Sequence, residues 1–242
     1  MLYLIGIGLN EKSISLEGLD ALKKCKDVYL DSYTSCLPYE IKKLEKVISK
    51  KIFLVDRNFL ESNRLIEEAR KKNVALLVYG DLFFATTHVS LLLNADKNRI
   101  KIKMIHSFSV FDAISETGLQ SYKFGKISSI PKWEKNFEPC SFVDYIHENF
   151  LIKAHSLILI DPKLNFVESL NQLKIAMEKK LKINKDLKLV VCSKLTTPDS
   201  KIYYGFMEDL IKKSKEIEHP FCLIIPSELH FVEEEFLKKF EV

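Results

Sequence analysis

The sequence predicts an α/β protein, with a largely parallel sheet in its first half and a more mixed arrangement in its second. Three observations carry this. Short apolar runs alternate with amphipathic segments from the first residue to about Ile114, as repeated strand–helix units require. Glycines follow the ends of two of those runs, where a parallel strand must turn into its crossover. Beyond about residue 118 the spacing changes, and strands are no longer each followed by a helix.

Leu2–Ile7 is an apolar run closed by Gly6 and Gly8 and reads as a buried strand. Ser13–Cys25 carries apolar residues at helical spacing, and Val28–Leu30 is a second strand followed by Tyr33, Thr34 and Ser35. Ile41–Ile48 is an amphipathic helix, Ile52–Val55 a short strand, and Leu65–Lys72 a charged helix. Val74–Tyr79 is an apolar strand ending on Gly80 and Asp81, and Thr87–Leu93 opens the next helix. Ile100–Ile105 alternates apolar and basic residues, the pattern of an edge or half-exposed strand. Val110–Ile114 is helical. In the second half, Ile127–Ile130, Leu157–Ile160, Leu187–Cys192 and Phe221–Ile225 read as strands, and Val167–Leu181 and Phe231–Phe240 as helices. Pro131–Pro139 is irregular. These shifts divide the chain into residues 1–122, with a parallel sheet, and 123–242, with a mixed one.

Composition narrows the function classes. Of 242 residues, 47% are hydrophobic and 29% charged, which is ordinary for a globular protein. No apolar run approaches the roughly 18 residues that span a bilayer. The MLYLIGIGL start lacks a basic n-region, so a cytoplasmic address is the expectation. The net charge is +4, and Arg57, Arg64, Arg70 and Arg99 are the only arginines. Base and phosphate recognition favours arginine forks, so nucleic acid is not the expected partner. The five cysteines are scattered without a CxxC pair, and the six histidines show no ligand spacing, so no metal is expected.

Only seven glycines are present, where about 7% is usual, so each is expected where backbone geometry demands it. Gly6, Gly8 and Gly80 fall at the carboxyl ends of predicted strands, the edge at which open α/β sheets bind ligands. A dinucleotide fingerprint fails, because Glu11 stands at the third glycine position. Walker A, HExxH and GxSxG patterns are absent.

The sharper signal is an ordered set of segments: MLYLIGIGL, YTS, YGDLFFATTH, TGLQSYKFGK and IPSELHFVEEEF. Together they resemble the diphthine synthases, in their archaeal form, a family within the tetrapyrrole methylase fold. The resemblance runs from Met1 to about Phe236. It implies two α/β domains with a cofactor cleft between them, a homodimer, and S-adenosyl-L-methionine as cofactor with S-adenosyl-L-homocysteine as product. It also implies translation elongation factor 2 as the protein substrate, trimethylated to diphthine on the amino group of an aminocarboxypropyl-modified histidine. Mapped by motif, the family's cofactor contacts fall on Leu9, Asp81, Phe84, Ser109, Val110, Ile160, Leu195 and Phe221. The chain departs from the family at Leu82, where the family has proline, at Phe108, where it has a small residue, and at Ser193–Thr197, which read SKLTT.

Most of that set is apolar, as suits recognition by backbone groups with side chains packed against an adenine. Asp81 is the one anion. Its carboxylate suits the cofactor's positive groups; its alternative role is to cap the helix beginning near Thr86. Methyl transfer needs a proton acceptor for the attacking amine, and the sequence names none. Tyr33, Tyr122 and Phe124 are candidate π-faces for a quaternary ammonium, and His230 either faces substrate or caps the last helix. The rival readings are a tetrapyrrole or ribosomal RNA methyltransferase of the same fold and a non-catalytic cofactor binder.

Overall fold

The computed structural model describes all residues except 35, 87 and 182–186. By its own contacts the chain forms two compact units, Met1–Val110 and Phe111–Val242.

The first unit runs β1 (Leu2–Gly6), α1 (Leu16–Lys23), β2 (Asp27–Asp31), α2 (Ile41–Ile48), β3 (Ile52–Val55), α3 (Arg57–Glu61), α4 (Arg64–Lys71), β4 (Val74–Val78), α5 (Val89–Lys97) and β5 (Ile102–Ile105). Its five strands lie in the order β3-β2-β4-β1-β5, and every pairing is parallel. A parallel sheet must be covered on both faces, and the alternation of side chains along a strand shows how. Leu2, Leu4, Val74, Leu76 and Val78 face one way, onto Leu65, Ile66 and Ala69 of α4 and Leu91 and Ala95 of α5. Tyr3, Ile5, Ala75 and Leu77 face the other way, onto Ala21 and Leu22 of α1 and Leu44 and Ile48 of α2. β5 sits at the edge, and its Lys103 is exposed as the alternation predicts, but the neighbouring Met104 is exposed as well.

The second unit contains α6 (Val110–Ala113), which starts at the junction, then β6 (Ser128–Ile130), α7 (Ser141–Leu151), β7 (Ser156–Ile160), α8 (Phe166–Leu181), β8 (Lys188–Ser193), β9 (Lys201–Phe206), α9 (Met207–Lys212), β10 (Phe221–Ile225) and α10 (Phe231–Leu237). Its sheet has the order β6-β7-β10-β8-β9 and is mixed: β6 and β7 are parallel, the other three pairings antiparallel. Ile158, Leu189, Val191, Leu223 and Ile225 of the sheet pack with Phe142, Val143 and Ile146 of α7 and with Leu170, Leu173 and Ala176 of α8.

Several elements differ from the sequence reading. The helix expected over Thr87–Leu93 runs from Val89 to Lys97, and Thr87 lies outside the described residues. The sequence reading does not contain α3, α7 or β9. α7 hides because the fully buried side of its pattern includes Asn149 beside Phe142, Val143 and Ile146. That amide is satisfied internally: its Nδ2 donates to the Lys126 carbonyl at 2.9 Å, and its Oδ1 accepts from the Lys126 N–H at 2.8 Å. The division read at 122/123 falls inside the second unit.

The TGLQSYKFGK segment is held there by a buried carboxylate. Glu233 of α10 is fully buried. Its Oε1 accepts from the Gln120 N–H at 2.9 Å and lies 3.2 Å from His155 Nε2. Its Oε2 accepts from Lys123 Nζ at 2.6 Å and from the His230 N–H at 2.8 Å. The Ser227 N–H donates to His155 Nδ1 at 3.0 Å, so Nε2 carries the proton that Glu233 receives. Burial alone would raise the Glu233 carboxyl, but these donors outweigh it and hold the pKa down at about 2. Among the described residues no helix is long and apolar enough to cross a membrane.

The lowered carboxyl sets an acid limit. In the unfolded chain Glu233 titrates near 4.5, so its stabilisation is complete above roughly pH 5 and is lost as pH falls toward 2. The shift corresponds to about 3 kcal/mol. Glu233→Gln should therefore cost about 3 kcal/mol in urea unfolding at pH 7, with the gap to wild type closing between pH 5 and pH 2. A gap that stays constant over that range would mean that the carboxylate is not the group that matters.

Candidate functional site

In the first unit all five strands point the same way, so the loops leaving β1, β4 and β5 emerge at one edge of adjacent strands. Two of these loops are tied to each other. The Gly8 N–H donates to the Gly80 carbonyl at 3.1 Å, and the Gly80 N–H donates back to Gly8 at 3.0 Å. Both glycines take left-handed backbone angles, φ +67° and +78°, which an L side chain would strain. Gly8 is also crowded: a Cβ there would meet Ser13 Cβ at 2.4 Å and Phe108 Cε1 at 2.9 Å. Around Gly80 there is room, with Leu9 Cδ2 at 3.8 Å and Ser109 Cα at 3.9 Å from a Cβ built there.

Leu9, Asp81 and Ser109 are gathered at this edge. Leu9 is buried, and its carbonyl accepts from Tyr79 Oη at 3.2 Å. Asp81 does not cap α5, the alternative that sequence allowed. Its Oδ1 accepts from the Ser107 N–H at 2.8 Å, and both carboxylate oxygens lie 3.1 Å from His106 Nδ1. The carboxylate therefore braces the β4 loop against the β5 loop, because Ser107 offers an open N–H where β5 has ended. Ser109 is buried and Val110 half-buried at the start of α6. Phe84 is half-buried in a turn whose Phe83 and Ala85 have φ +63° and +55°. Leu82, in the place of the family's proline, is buried in the core beneath that turn. Side-chain burial there does the anchoring that a proline ring would do through φ.

In the second unit, antiparallel pairing brings Ile160, Leu195 and Phe221 to one end of the sheet. β10 begins beside the ends of β7 and β8, with Cys222 opposite Leu159 and Phe221 opposite Ser193. Leu195 follows β8 in a turn where Lys194 and Thr196 have φ +49° and +69°. The Lys194 N–H donates to the Pro220 carbonyl at 2.9 Å, binding that turn to the start of β10.

The other candidates are not grouped with these. Tyr33 is occupied by Arg57, whose guanidinium lies 5.4 Å from the ring centroid and donates to the hydroxyl at 3.1 Å. Phe124 packs edge-on between Phe111 and His155. Tyr122 is exposed. His230 caps α10, its Nδ1 accepting from the Val232 N–H at 3.4 Å in a capping box with Glu233. Among the described residues no three His, Cys, Asp or Glu side chains gather as a metal site.

One pair escaped the sequence reading. Asp31 ends β2 and is 2% exposed. Its Oδ1 accepts from the Tyr33 N–H at 2.8 Å and the Thr34 N–H at 3.3 Å, and its Oδ2 from the Thr34 hydroxyl. His88 Nε2 lies 3.1 Å from the same Oδ2. Burial raises the Asp31 carboxyl, but His88, Thr34 and Tyr33 more than offset this and leave it below its ordinary value. The signal was present in the last residue of YGDLFFATTH, which sequence spacing linked to no partner.

Comparison with known proteins agrees with this architecture. The model of the Tetrapyrrole (Corrin/Porphyrin) Methylases matches residues 1–211. A Schizosaccharomyces pombe protein named diphthine methyl ester synthase is 33% identical over 268 residues, spanning 100% of this chain and 95% of its own. The diphthine synthase of Methanocaldococcus jannaschii is 38% identical over 253 residues, covering 98% of each. A crystal structure assigned as a diphthine synthase of Entamoeba histolytica superposes with a TM-score of 0.88 at 34% identity, covering 100% of this chain and 98% of that one. Fold, loop geometry and full-length similarity together show that the chain belongs to the tetrapyrrole methylase family, in its diphthine synthase branch.

Proposed function

We propose that the chain is an S-adenosyl-L-methionine-dependent methyltransferase that trimethylates the amino group of the aminocarboxypropyl-modified histidine of translation elongation factor 2, forming diphthine. The observation that carries this reading is the gathering of Leu9, Asp81 and Ser109 around the Gly8–Gly80 pair, in a chain related to diphthine synthases over its full length.

The residues fit the cofactor. Backbone groups of the paired loops and the open space at Gly80 suit a ligand held by main-chain contacts, and Asp81 supplies a single anion for its positive groups. We propose Leu9, Asp81, Phe84, Ser109 and Val110 as its contacts in the first unit; Ile160, Leu195 and Phe221, at one end of the second unit's sheet, are the further positions that the family resemblance implies. Bound there, the cofactor supplies a methyl group on a sulfonium, whose departure as a neutral thioether needs no nucleophile from the protein. The chain's work is to align the acceptor with that methyl, exclude water and accept the acceptor's proton. We place the protein in the cytoplasm and propose a homodimer. Val89 and Leu93, one turn apart on α5, leave an exposed apolar strip for a second copy.

The S. pombe relative favours a second reading, because its name specifies a methyl ester and it spans the whole chain. An ester requires one further methyl on a carboxylate oxygen. Labelled methyl transfer to purified elongation factor 2 bearing the aminocarboxypropyl histidine, followed by mass spectrometry of the peptide, separates the products: three methyls, none lost to mild alkali, for diphthine, or a fourth, base-labile methyl for the ester. Cofactor binding with no transfer would leave a non-catalytic binder.

Two further outcomes are expected. Titration with S-adenosyl-L-methionine should give the same affinity with and without a chelator, and a loss on chelation would contradict a metal-free site. Asp81→Asn should weaken cofactor binding by roughly 1–3 kcal/mol while moving the thermal midpoint little, since the amide oxygen can still accept from Ser107. Asp20→Asn, on the exposed face of α1, is the control. If Asp81→Asn binds normally and unfolds early, the carboxylate is only the brace between the β4 and β5 loops.

A further inference from the structure

The reaction needs a proton acceptor, and one buried side chain in the cofactor-side motif has an unused lone pair. His88 is 3% exposed, and its Nδ1 is buried with no hydrogen-bond partner. On the other side of the ring, Nε2 lies 3.1 Å from Asp31 Oδ2, within ion-pair reach although its N–H is not aligned well enough to form a full hydrogen bond. Asp31 already accepts from two backbone N–H groups and the Thr34 hydroxyl, so its oxygens are held in place. An anionic oxygen at that distance repels a lone pair and attracts an N–H. The neutral ring must therefore carry its proton on Nε2 and present Nδ1 as an acceptor.

A buried acceptor without a donor is rare in folded proteins and calls for an explanation. The sheet does not require it: β2 and β4 pair through their own backbones, before either Asp31's loop or His88 is reached. Two residues before His88, Thr86 Oγ1 is likewise buried and unpartnered. An ammonium carries several N–H donors and matches two such acceptors on one loop. Among the described residues His88 forms no ion pair other than that with Asp31. Tyr33, whose N–H also binds Asp31, turns its ring to Arg57, and Asp81 is engaged with Ser107 and His106.

We propose that His88 is the proton acceptor of the methyl transfer and Asp31 its positioning residue; this rests on the proposed function, in which the acceptor is an amine. The acceptor ammonium passes one proton to His88 Nδ1, and its nitrogen lone pair is freed. That pair forms the new N–C bond to the methyl as the C–S bond breaks, and the C–S electrons remain on sulfur. Nitrogen gains the positive charge that sulfur loses, and the imidazolium returns its proton to water before the next cycle. The three transfers need three proton removals, one before each attack, and none after the last, when nitrogen is quaternary.

The test is single-turnover methyl transfer from labelled S-adenosyl-L-methionine to elongation factor 2 bearing the aminocarboxypropyl histidine, across a range of pH. Transfer by the wild-type chain tests the function itself, and the variants test this inference. His88→Asn can still meet Asp31 through its amide but offers no titrating base. Its rate at neutral pH should fall roughly 100-fold or more, with cofactor affinity unchanged. Its rate should then climb about tenfold per pH unit as hydroxide takes over the proton removal. A variant slowed equally at every pH, or not slowed, overturns the proposal. If His88→Asn does not fold, Asp31→Asn gives the answer. Without the carboxylate the imidazolium is less favoured, so the acid limb of the rate profile should move to lower pH, and an unmoved limb overturns the proposal.

Discussion

The two hydrogen bonds between Gly8 and Gly80 are the constraint on which the rest of the first unit's site depends. β1 and β4 run parallel as far as Gly6 and Val78, and two parallel strands cannot exchange hydrogen bonds residue for residue. Past the sheet the two chains turn toward each other and do exchange them, as an isolated antiparallel bridge. That reversal needs left-handed backbone at both residues, so neither glycine can be replaced without strain. Once the bridge is made, Leu9 and Asp81 have fixed starting points, and Asp81 can reach an N–H just beyond β5, that of Ser107. One pair of glycines thus sets the positions of residues drawn from three separate loops.

Two buried carboxylates show how differently the same group can be used. Glu233 receives donors from Gln120, Lys123, His230 and His155, and His155 is itself saturated by Ser227. Nothing in that cluster is left to react, and it works as a clamp joining the TGLQSYKFGK segment to α10. Asp31 is also well supplied, but the histidine it faces is left with an open lone pair. Burial makes both arrangements strong, because a low dielectric strengthens whatever is paired and penalises whatever is not. The difference in satisfaction, more than the difference in burial, separates a structural carboxylate from one that holds a reactive group in place.

Much of this was legible in the sequence, and the reason is visible in the packing. β1, β4 and β10 are buried along their whole length, so their short apolar runs between turn residues could be read directly. The parallel character of the first sheet and the edge position of β5 followed from the same periodicity. α7 was hidden because a buried asparagine interrupts its apolar stripe, and β9 because its side chains are mostly half-exposed and it contains Gly205. The resemblance supplied the loop residues, and the structure gathers them by strand ends within each unit. What sequence could not supply was pairing at long range. Asp31 and His88 are 57 positions apart in the chain, and nothing local in YTS or in ATTH says that they meet. The alternative role of Asp81 as a helix cap failed for a similar reason: a helix start lay nearby in sequence, whereas the donor it uses lies on the next strand's loop.

The acceptor's chemistry explains why this arrangement is economical. A sulfonium methyl is already activated, so a protein that adds a nucleophile gains little, and a site made of backbone, apolar side chains and one anion is sufficient for the donor. The acceptor is the harder partner. An alkylamine at neutral pH is overwhelmingly protonated, and its lone pair is unavailable until a proton leaves. A carboxylate acceptor has no such need, because its lone pairs are free at the same pH. An imidazole with one nitrogen facing a carboxylate and the other open is therefore informative about the product: in the proposed role it serves nitrogen methylation and contributes nothing to ester formation. Where a chain of this family carries such a dyad, its steps on nitrogen should depend on it and any step on oxygen should not.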